Sequence, residues 1–351
     1  MKKANRIAGL IIILILCIIF IGCTIIALEA YSQIFGRVEA LTDEDYTTYF
    51  TWKEIDQVKY PREEVFFNSS GYRLQGFIYG AENNNGLVFI SQGLGGTADS
   101  YFTMIMFFVD KGWRVFAYNN TGVAGSEGEG VRGLTQSVID LDAALIYIKD
   151  SNKLKDLPVM LVGHSWGGYA VCAVLNYDHK INAVVSFAGY NNGKDVFNEL
   201  GVLSVGNVFY VLSPQFWAIE KQIFGDTAKL TAVDGINKSN IPVMIVHSSD
   251  DDVIYAETTS IYAHRSKINN PNTEIVFYEG EDESGHEYVF CSKESIEYWK
   301  WALESWEKYK VEQNCGSLGL FAEFVGFDKT IANELNIELM ESINEFFNNA
   351  K

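Results

Sequence analysis

The chain has 351 residues, and its 45 acidic and 27 basic side chains give it a formal net charge of −18. The basic residues do not cluster beyond residues 2–6. The composition therefore argues against nucleic acid as a partner, because such binding needs a basic surface. The five cysteines and five histidines show no spacing typical of a zinc site, and the sequence predicts neither a metal nor another cofactor.

The first predicted element is an apolar segment at the amino terminus. Residues 7–28 contain no charged side chain and follow the basic residues Lys2, Lys3 and Arg6. As a helix this segment would be roughly 33 Å long, which is enough to cross the hydrocarbon core of a bilayer. The basic residues before it predict that this end stays in the cytoplasm. The segment therefore predicts a single-pass membrane anchor at residues 1–28, with the remaining chain outside the cell.

Two other interpretations of this segment stay open. It could be a cleaved signal peptide, although it is longer than the usual apolar region of one. It could also belong to a secreted lipoprotein lipidated at Cys23, because residues 20–23 partly resemble a lipobox that lacks its usual leucine. Outside the cell, Cys291 and Cys315 could form a disulfide.

Beyond residue 60, apolar runs typical of buried strands alternate with segments of helical spacing. The predicted strands cover residues 86–92, 113–118, 158–162, 181–187, 242–246 and 273–278. Such alternation is typical of the α/β class. It predicts a doubly wound, mostly parallel sheet that binds its ligand at the carboxyl edge.

The strand at residues 158–162 leads directly into Gly163-His164-Ser165-Trp166-Gly167, a G-x-S-x-G pattern followed by a helical run. At a strand-to-helix junction this pattern predicts a tight turn that presents the serine as a nucleophile. Small glycine neighbours let the helix begin without a clash. A turn with an idle serine is the alternative, so the prediction for Ser165 depends on finding a base and an acid.

His286 is the predicted general base. It lies in a loop behind the last predicted strand, where the chain order serine, acid, histidine requires it. The ring of His164 is expected to point away from the serine hydroxyl. His247, at the end of a strand, is expected to be a structural histidine.

The acid is expected just after the strand that ends at His247, where three adjacent aspartates follow. Here the chain resembles the α/β-hydrolase superfamily, in particular the branch that is similar to monoglyceride lipases and serine aminopeptidases. That branch usually has His-Gly-x-x-Asp-x-x-Val at this point. The resemblance identifies Asp251 as the acid, with Ser248 in the glycine position. Because of that departure, Asp250 is the second candidate.

The resemblance also implies where an oxyanion would be stabilised. The strand at residues 86–92 leads into the glycine-rich residues 93–96, and Gln92 stands where the family commonly has a histidine. By resemblance the donors are the backbone N–H groups of Leu94 and Trp166. A flexible loop or a phosphate cradle are the alternatives, but the lysine of a P-loop is missing.

The resemblance covers residues 61–310 and predicts one α/β-hydrolase core there. A juxtamembrane segment at residues 29–60 would precede this core, and a helical tail at residues 311–351 would pack onto it. Residues 190–240 interrupt the strand-helix alternation for far longer than an ordinary connection, and they are rich in large apolar side chains. In the family this position carries a cap over the active site. A cap of this composition suits an acyl chain, although its apolar residues could instead attach it to the core.

These features predict a membrane-anchored serine hydrolase that cleaves carboxylic esters through an acyl-enzyme. Small-molecule, lipid and acylglycerol esters are the candidate substrates. A serine aminopeptidase of the same fold is the alternative, with a peptide as substrate. It would need an acidic group near the cap, such as Glu199 or Glu220, to bind the substrate ammonium. A non-catalytic binding protein is a third interpretation.

Overall fold

The computed structural model describes residues 2–41, 46–152, 154, 156–280, 285–313 and 325–351. Its strands are β1 (Arg62–Ser69), β2 (Tyr72–Tyr79), β3 (Leu87–Ser91), β4 (Arg114–Tyr118), β5 (Val159–His164), β6 (Ala183–Phe187), β7 (Val243–Ser248) and β8 (Thr273–Tyr278). Its helices are α1 (Lys2–Ile34), α2 (Phe102–Asp110), α3 (Gln136–Asp150), α4 (Trp166–Ala173), α5 (Gly193–Val205), α6 (Phe209–Phe224), α7 (Ala232–Lys238), α8 (Lys293–Gln313), α9 (Lys329–Ala332) and α10 (Ile337–Asn349).

The described strands form one eight-stranded sheet in the order β1-β2-β4-β3-β5-β6-β7-β8. From β4 to β8 all neighbours are parallel, whereas β1 and β2 join as antiparallel strands. The prediction of a mostly parallel, doubly wound sheet is confirmed. Because β4 and β5 lie on opposite sides of β3, a crevice opens between the loops that follow β3 and β5, where such sheets bind ligands.

The burial of the central strands explains why they could be predicted from the sequence. Every residue of β3, β5, β6 and β7 is buried, because helices cover both faces of a parallel sheet. Such strands are therefore continuous apolar runs. In contrast, only Phe67 and Ser69 of β1 are buried and the first three residues of β1 are charged, and the sequence prediction missed this strand.

Helix α1 is longer than the predicted membrane segment and continues through the predicted boundary at residue 28. Side chains in its first half, such as Leu10 and Leu16, are more than half exposed, whereas Ala27 and Tyr31 are buried in the core with Phe35. The helix is long and apolar enough to cross a membrane, and a signal sequence has the same features. The stretch Gly193–Lys238 also meets these criteria of length and composition.

Residues 190–240, called the cap below, contain α5, α6 and α7. Their aromatic side chains pack against α1 rather than against the sheet alone. The ring of Phe197 lies 6.1 Å from that of Tyr31 and 5.7 Å from that of Phe35, and Phe216 lies 6.2 Å from Tyr31. The apolar residues of the cap therefore hold the end of α1.

The last described helix of the chain packs onto the core. Helix α10 buries Leu339, Ile343 and Phe347, and the ring of Phe347 lies 5.8 Å from that of Phe108. Cys291 is buried, whereas Cys315 lies outside the described residues, so the structure does not test their predicted pairing.

Candidate active site

Ser165 occupies the turn between β5 and α4, in a conformation that side chains rarely adopt. Its φ is 54° and its ψ is −112°, which points the hydroxyl out of the sheet edge. The turn is possible only because its neighbours are glycines. A Cβ at Gly163 would overlap the carbonyl oxygen of Gly167, and a Cβ at Gly167 would overlap that of Ser91. The residues 163–167, called the elbow below, are therefore built around a partly exposed serine.

The structure brings Ser165, His286 and Asp251 into one chain of hydrogen bonds. The serine Oγ lies 2.8 Å from Nε2 of His286. Nδ1 of His286 lies 3.0 Å and 2.9 Å from the two carboxylate oxygens of Asp251. Asp250, the second candidate, instead accepts hydrogen bonds from the Gly285 N–H at 3.0 Å and from the Ser248 hydroxyl.

Asp251 is buried and held by its own loop. Its Oδ1 accepts the backbone N–H groups of Val253 at 3.0 Å and Ile254 at 2.7 Å. His247 Nε2 donates to the Ile254 carbonyl at 2.9 Å, which ties this loop to the end of β7. His247 is thus structural, as expected, although its buried Nδ1 has no hydrogen-bond partner within the described part of the chain.

The surroundings of His286 favour its protonated form. Burial lowers the pKa of the imidazole. The hydrogen bond and charge of Asp251 outweigh this effect, with further contributions from the charges of Glu287 and Asp252, so the pKa is raised above its usual 6.5. A base with a raised pKa can accept the serine proton and hold the resulting positive charge.

His164 joins the three loops around Ser165, a role that the sequence analysis missed. Its Nδ1 lies 2.8 Å from the Tyr101 hydroxyl, which also accepts the Gly93 N–H at 2.9 Å. Its Nε2 lies 3.0 Å from the backbone oxygen of His286. Since a carbonyl only accepts, Nε2 carries the proton and Tyr101 donates to Nδ1. Tyr101 is 63 positions away from His164, and no local pattern marks it.

The two residues implied as oxyanion donors lie on either side of Ser165. Trp166 is the first residue of α4, where a backbone N–H has no acceptor within the helix. Leu94 lies in the loop after β3, which passes so close that a Cβ on Gly93 would be 3.6 Å from that of Ser165. Gln92 supports this loop because its Nε2 donates to the Gly96 carbonyl at 2.8 Å.

A cavity of about 320 Å³ opens beside the serine. It is lined by residues 48–49, 93–96, 100–101, 164–165, 287–288, 290–291, 299 and 332–333. None of its lining residues comes from the cap, although the structure describes residues 190–240 completely. The cavity instead takes its outer wall from residues before the sheet and from the end of the chain.

The two acidic residues expected to bind a substrate ammonium do not line this cavity. Glu199 accepts hydrogen bonds from the hydroxyls of Thr258 and Thr259. Glu220, on α6 of the cap itself, is buried and accepts the Thr135 hydroxyl at 2.7 Å. Burial raises the pKa of Glu220, although its hydrogen bonds oppose the shift. That expectation was wrong because both carboxylates have partners within the fold.

Comparisons with known proteins agree with this fold. Residues 82–232 match a family model described as serine aminopeptidase, S33. The fold is that of an α/β hydrolase. No curated protein sequence matches it. Among the described residues of the hydrolase, no group of three or more His, Cys, Asp or Glu side chains could hold a metal ion.

Solved structures show that other hydrolases share this fold. An esterase from Pyrococcus furiosus is 16% identical, with a TM-score of 0.52, over 82% of this chain and 98% of its own. The α/β hydrolase GrgF from Penicillium is 18% identical, with a TM-score of 0.51, over 68% and 96%. Acetyl xylan esterase 1 from Thermoanaerobacterium is 14% identical, with a TM-score of 0.51, over 74% and 93%.

Proposed function

We propose that the hydrolase cleaves carboxylic esters through an acyl-enzyme formed on Ser165. The observation that carries this proposal is the hydrogen-bonded chain from Ser165 through His286 to Asp251, with the serine at the wall of a cavity. A serine hydroxyl becomes a useful nucleophile only when a base takes its proton, and the base works best when a third group orients it.

In the proposed reaction, Oγ of Ser165 attacks the ester carbonyl carbon while its proton passes to Nε2 of His286. Asp251 stabilises the imidazolium, and the N–H groups of Leu94 and Trp166 bind the oxyanion. The tetrahedral intermediate collapses when His286 returns the proton to the leaving alcohol. Water then enters, gives a proton to His286, and attacks the acyl group. Collapse of this second intermediate releases the carboxylic acid and restores the serine.

The cavity favours a small ester over one with a long acyl chain. Its volume of about 320 Å³ lies at the lower end of the range for ligand pockets. The large apolar side chains of the cap, which would suit a long chain, pack against α1 instead. We therefore expect nitrophenyl acetate and butyrate to react faster than the laurate and palmitate. The reverse order would favour lipid or acylglycerol substrates.

An aminopeptidase is the second candidate, and one observation favours it. Glu287 lines the cavity beside Ser165, and its carboxylate is exposed. A carboxylate at this position could bind the ammonium group of an aminoacyl substrate. Aminoacyl nitroanilides distinguish the two functions, because Glu287→Gln should raise KM for them and leave KM for neutral esters nearly unchanged.

We also propose that α1 anchors the hydrolase in the cell membrane, with the catalytic domain outside. The burial of Ala27 and Tyr31 favours an α1 that is retained in the mature protein, since a cut after residue 28 would remove Ala27 from the core and leave Tyr31 as the third residue of the chain. Lipidation at Cys23 would keep both residues and is the alternative. Protease added to intact cells should degrade the domain, and mass spectrometry of the membrane fraction should recover residues 7–28. A mature chain that begins at a lipidated Cys23 would replace the anchor.

The proposed nucleophile is tested by labelling with a fluorophosphonate probe. Ser165→Ala should abolish labelling and lower the turnover of nitrophenyl acetate by at least about 10⁴-fold. Ser100→Ala makes the same change at the wall of the same cavity and should keep the labelling. Labelling that survives in Ser165→Ala would show that another residue is the nucleophile.

A further inference from the structure

The end of α1 is connected to the active site by a short path of buried hydrogen bonds. It begins at Tyr31, which is 6% exposed at a point where α1 has left the exposed apolar segment. The Tyr31 hydroxyl lies 2.7 Å from Oε1 of Glu220 on α6 and 2.8 Å from the carbonyl oxygen of Arg132. A residue of the proposed anchor is thus bonded to the cap and to the loop before α3.

Glu220 connects Tyr31 to the loop before α3. Its Oε1 accepts the backbone N–H of Leu134 at 3.0 Å, and its Oε2 lies 2.7 Å from the Thr135 hydroxyl. The packing is so close that a Cβ on Gly133 would overlap both the Tyr31 hydroxyl and the Glu220 carboxylate. A buried polar group that loses its partner is costly, so these groups hold each other in place.

Leu134 completes the path to the elbow. Its carbonyl oxygen accepts the indole N–H of Trp166 at 2.6 Å. Trp166 is 1% exposed and is the residue that follows Ser165. Its backbone N–H is the proposed oxyanion donor, and the indole bond joins the residue that carries this N–H to the loop before α3.

We propose that Tyr31 is a positioning residue for catalysis: through Glu220 and Leu134, the end of α1 holds Trp166 where its backbone N–H meets the oxyanion. This inference rests on the proposed function, since it assigns Trp166 a role in that reaction. It makes the amino-terminal helix part of the machinery and not only a tether. Oxyanion donors act in the transition state, so their displacement lowers kcat more than it changes KM.

The test uses the full chain in detergent, with nitrophenyl acetate as substrate. Tyr31→Phe removes the hydroxyl and should lower kcat about tenfold, less than the roughly 100-fold cost of a 1 Å misplacement. KM should change less than about threefold. Tyr210→Phe is the matched control, because Tyr210 is 59% exposed on α6 and the same change there should leave kcat unaltered.

Two further comparisons separate positioning from general destabilisation. Trp166→Phe removes the other end of the path, so the double variant Tyr31→Phe/Trp166→Phe should lose little more than either single variant. Glu220→Gln keeps one oxygen that can accept the Tyr31 hydroxyl and the Leu134 N–H, although its amide nitrogen cannot accept the Thr135 hydroxyl, so it should retain more of kcat than Glu220→Ala. All rates are measured well below the melting temperature of each variant.

The outcomes distinguish this inference from the proposed function. If the wild type turns over and Ser165 is labelled, but Tyr31→Phe keeps its kcat or the double variant shows the full product of the single losses, only the positioning role is overturned. If Ser165 of the wild type is neither labelled nor needed for turnover, the proposed function fails and the inference fails with it.

Discussion

The elbow and the junction between α1 and the cap are both buried, but they differ in how their residues are distributed along the chain. The elbow is made by five consecutive residues, and its strained serine is recognisable from the glycines beside it. The junction joins Tyr31 to Glu220 across 189 positions. The first region can be predicted from a short window of sequence, whereas the second exists only once the whole domain has folded.

The same apolar composition can serve two purposes. Large apolar side chains in the cap suggested a lining for an acyl chain. In the structure, Phe197 and Phe216 surround Tyr31, and the cavity beside Ser165 contains no cap residue. Composition predicts that such side chains are buried, but it does not say against which partner.

Replacement of Asp251, the proposed acid, has the largest expected effect on activity. Asp251→Asn should lower kcat on the order of 10⁴-fold, because the amide favours the wrong tautomer of His286. Asp250→Asn is the matched control in the same loop and should cost far less, since Asp250 bonds to Gly285 and Ser248 instead. Steady-state kinetics of both variants decide the matter. A greater loss in Asp250→Asn would show that Asp250, and not Asp251, is the acid.

The junction is expected to matter for stability. Phe216→Ala removes a ring that is 3% exposed between Phe197, Phe209 and Tyr31, and it should lower the free energy of unfolding by about 3–5 kcal/mol. Tyr210→Ala lies on the exposed side of the same helix and should change it by less than about 0.5 kcal/mol. Denaturant unfolding in detergent measures both. Equal effects would mean that the cap does not pack on α1 in this way.

The pH dependence should give the smallest effect. The proposed ester hydrolysis needs neutral His286, so kcat/KM should fall as the pH drops through the raised pKa of this residue. Glu287→Gln removes one negative charge that raises this pKa. The acid limb should therefore move to lower pH, by roughly half a unit or less, since an exposed charge is screened.

A pH profile of kcat/KM at low salt measures this shift. Glu294→Gln, an exposed change at the start of α8, should leave the profile where it is. Added salt should bring the wild-type and Glu287→Gln profiles together. An acid limb that moves to higher pH in Glu287→Gln would contradict the inference that the negative charge of Glu287 raises the pKa of His286.

Some residues of the candidate site could be predicted from the sequence, whereas others could not. Ser165 followed from a local pattern, and His286 from its place behind the last strand. The choice of Asp251 among three aspartates needed the resemblance to a family, because successive loop residues point in different directions. Tyr101 could not have been predicted, since its hydroxyl meets His164 and Gly93 only after the segment before α2 has packed beside β3.

Three features could be predicted from the sequence alone: the buried parallel strands, the tight turn at Ser165 and the apolar amino-terminal helix. Each of these depends on periodicity or turn chemistry within a few residues, and those act before distant parts of the chain meet. Three other features are visible only in the folded domain. The cap packs on α1, and Glu220 is hydrogen-bonded to Tyr31. Residues 48–49 and 332–333 line the cavity. These contacts join residues far apart in the chain, so their geometry depends on how every intervening element is packed.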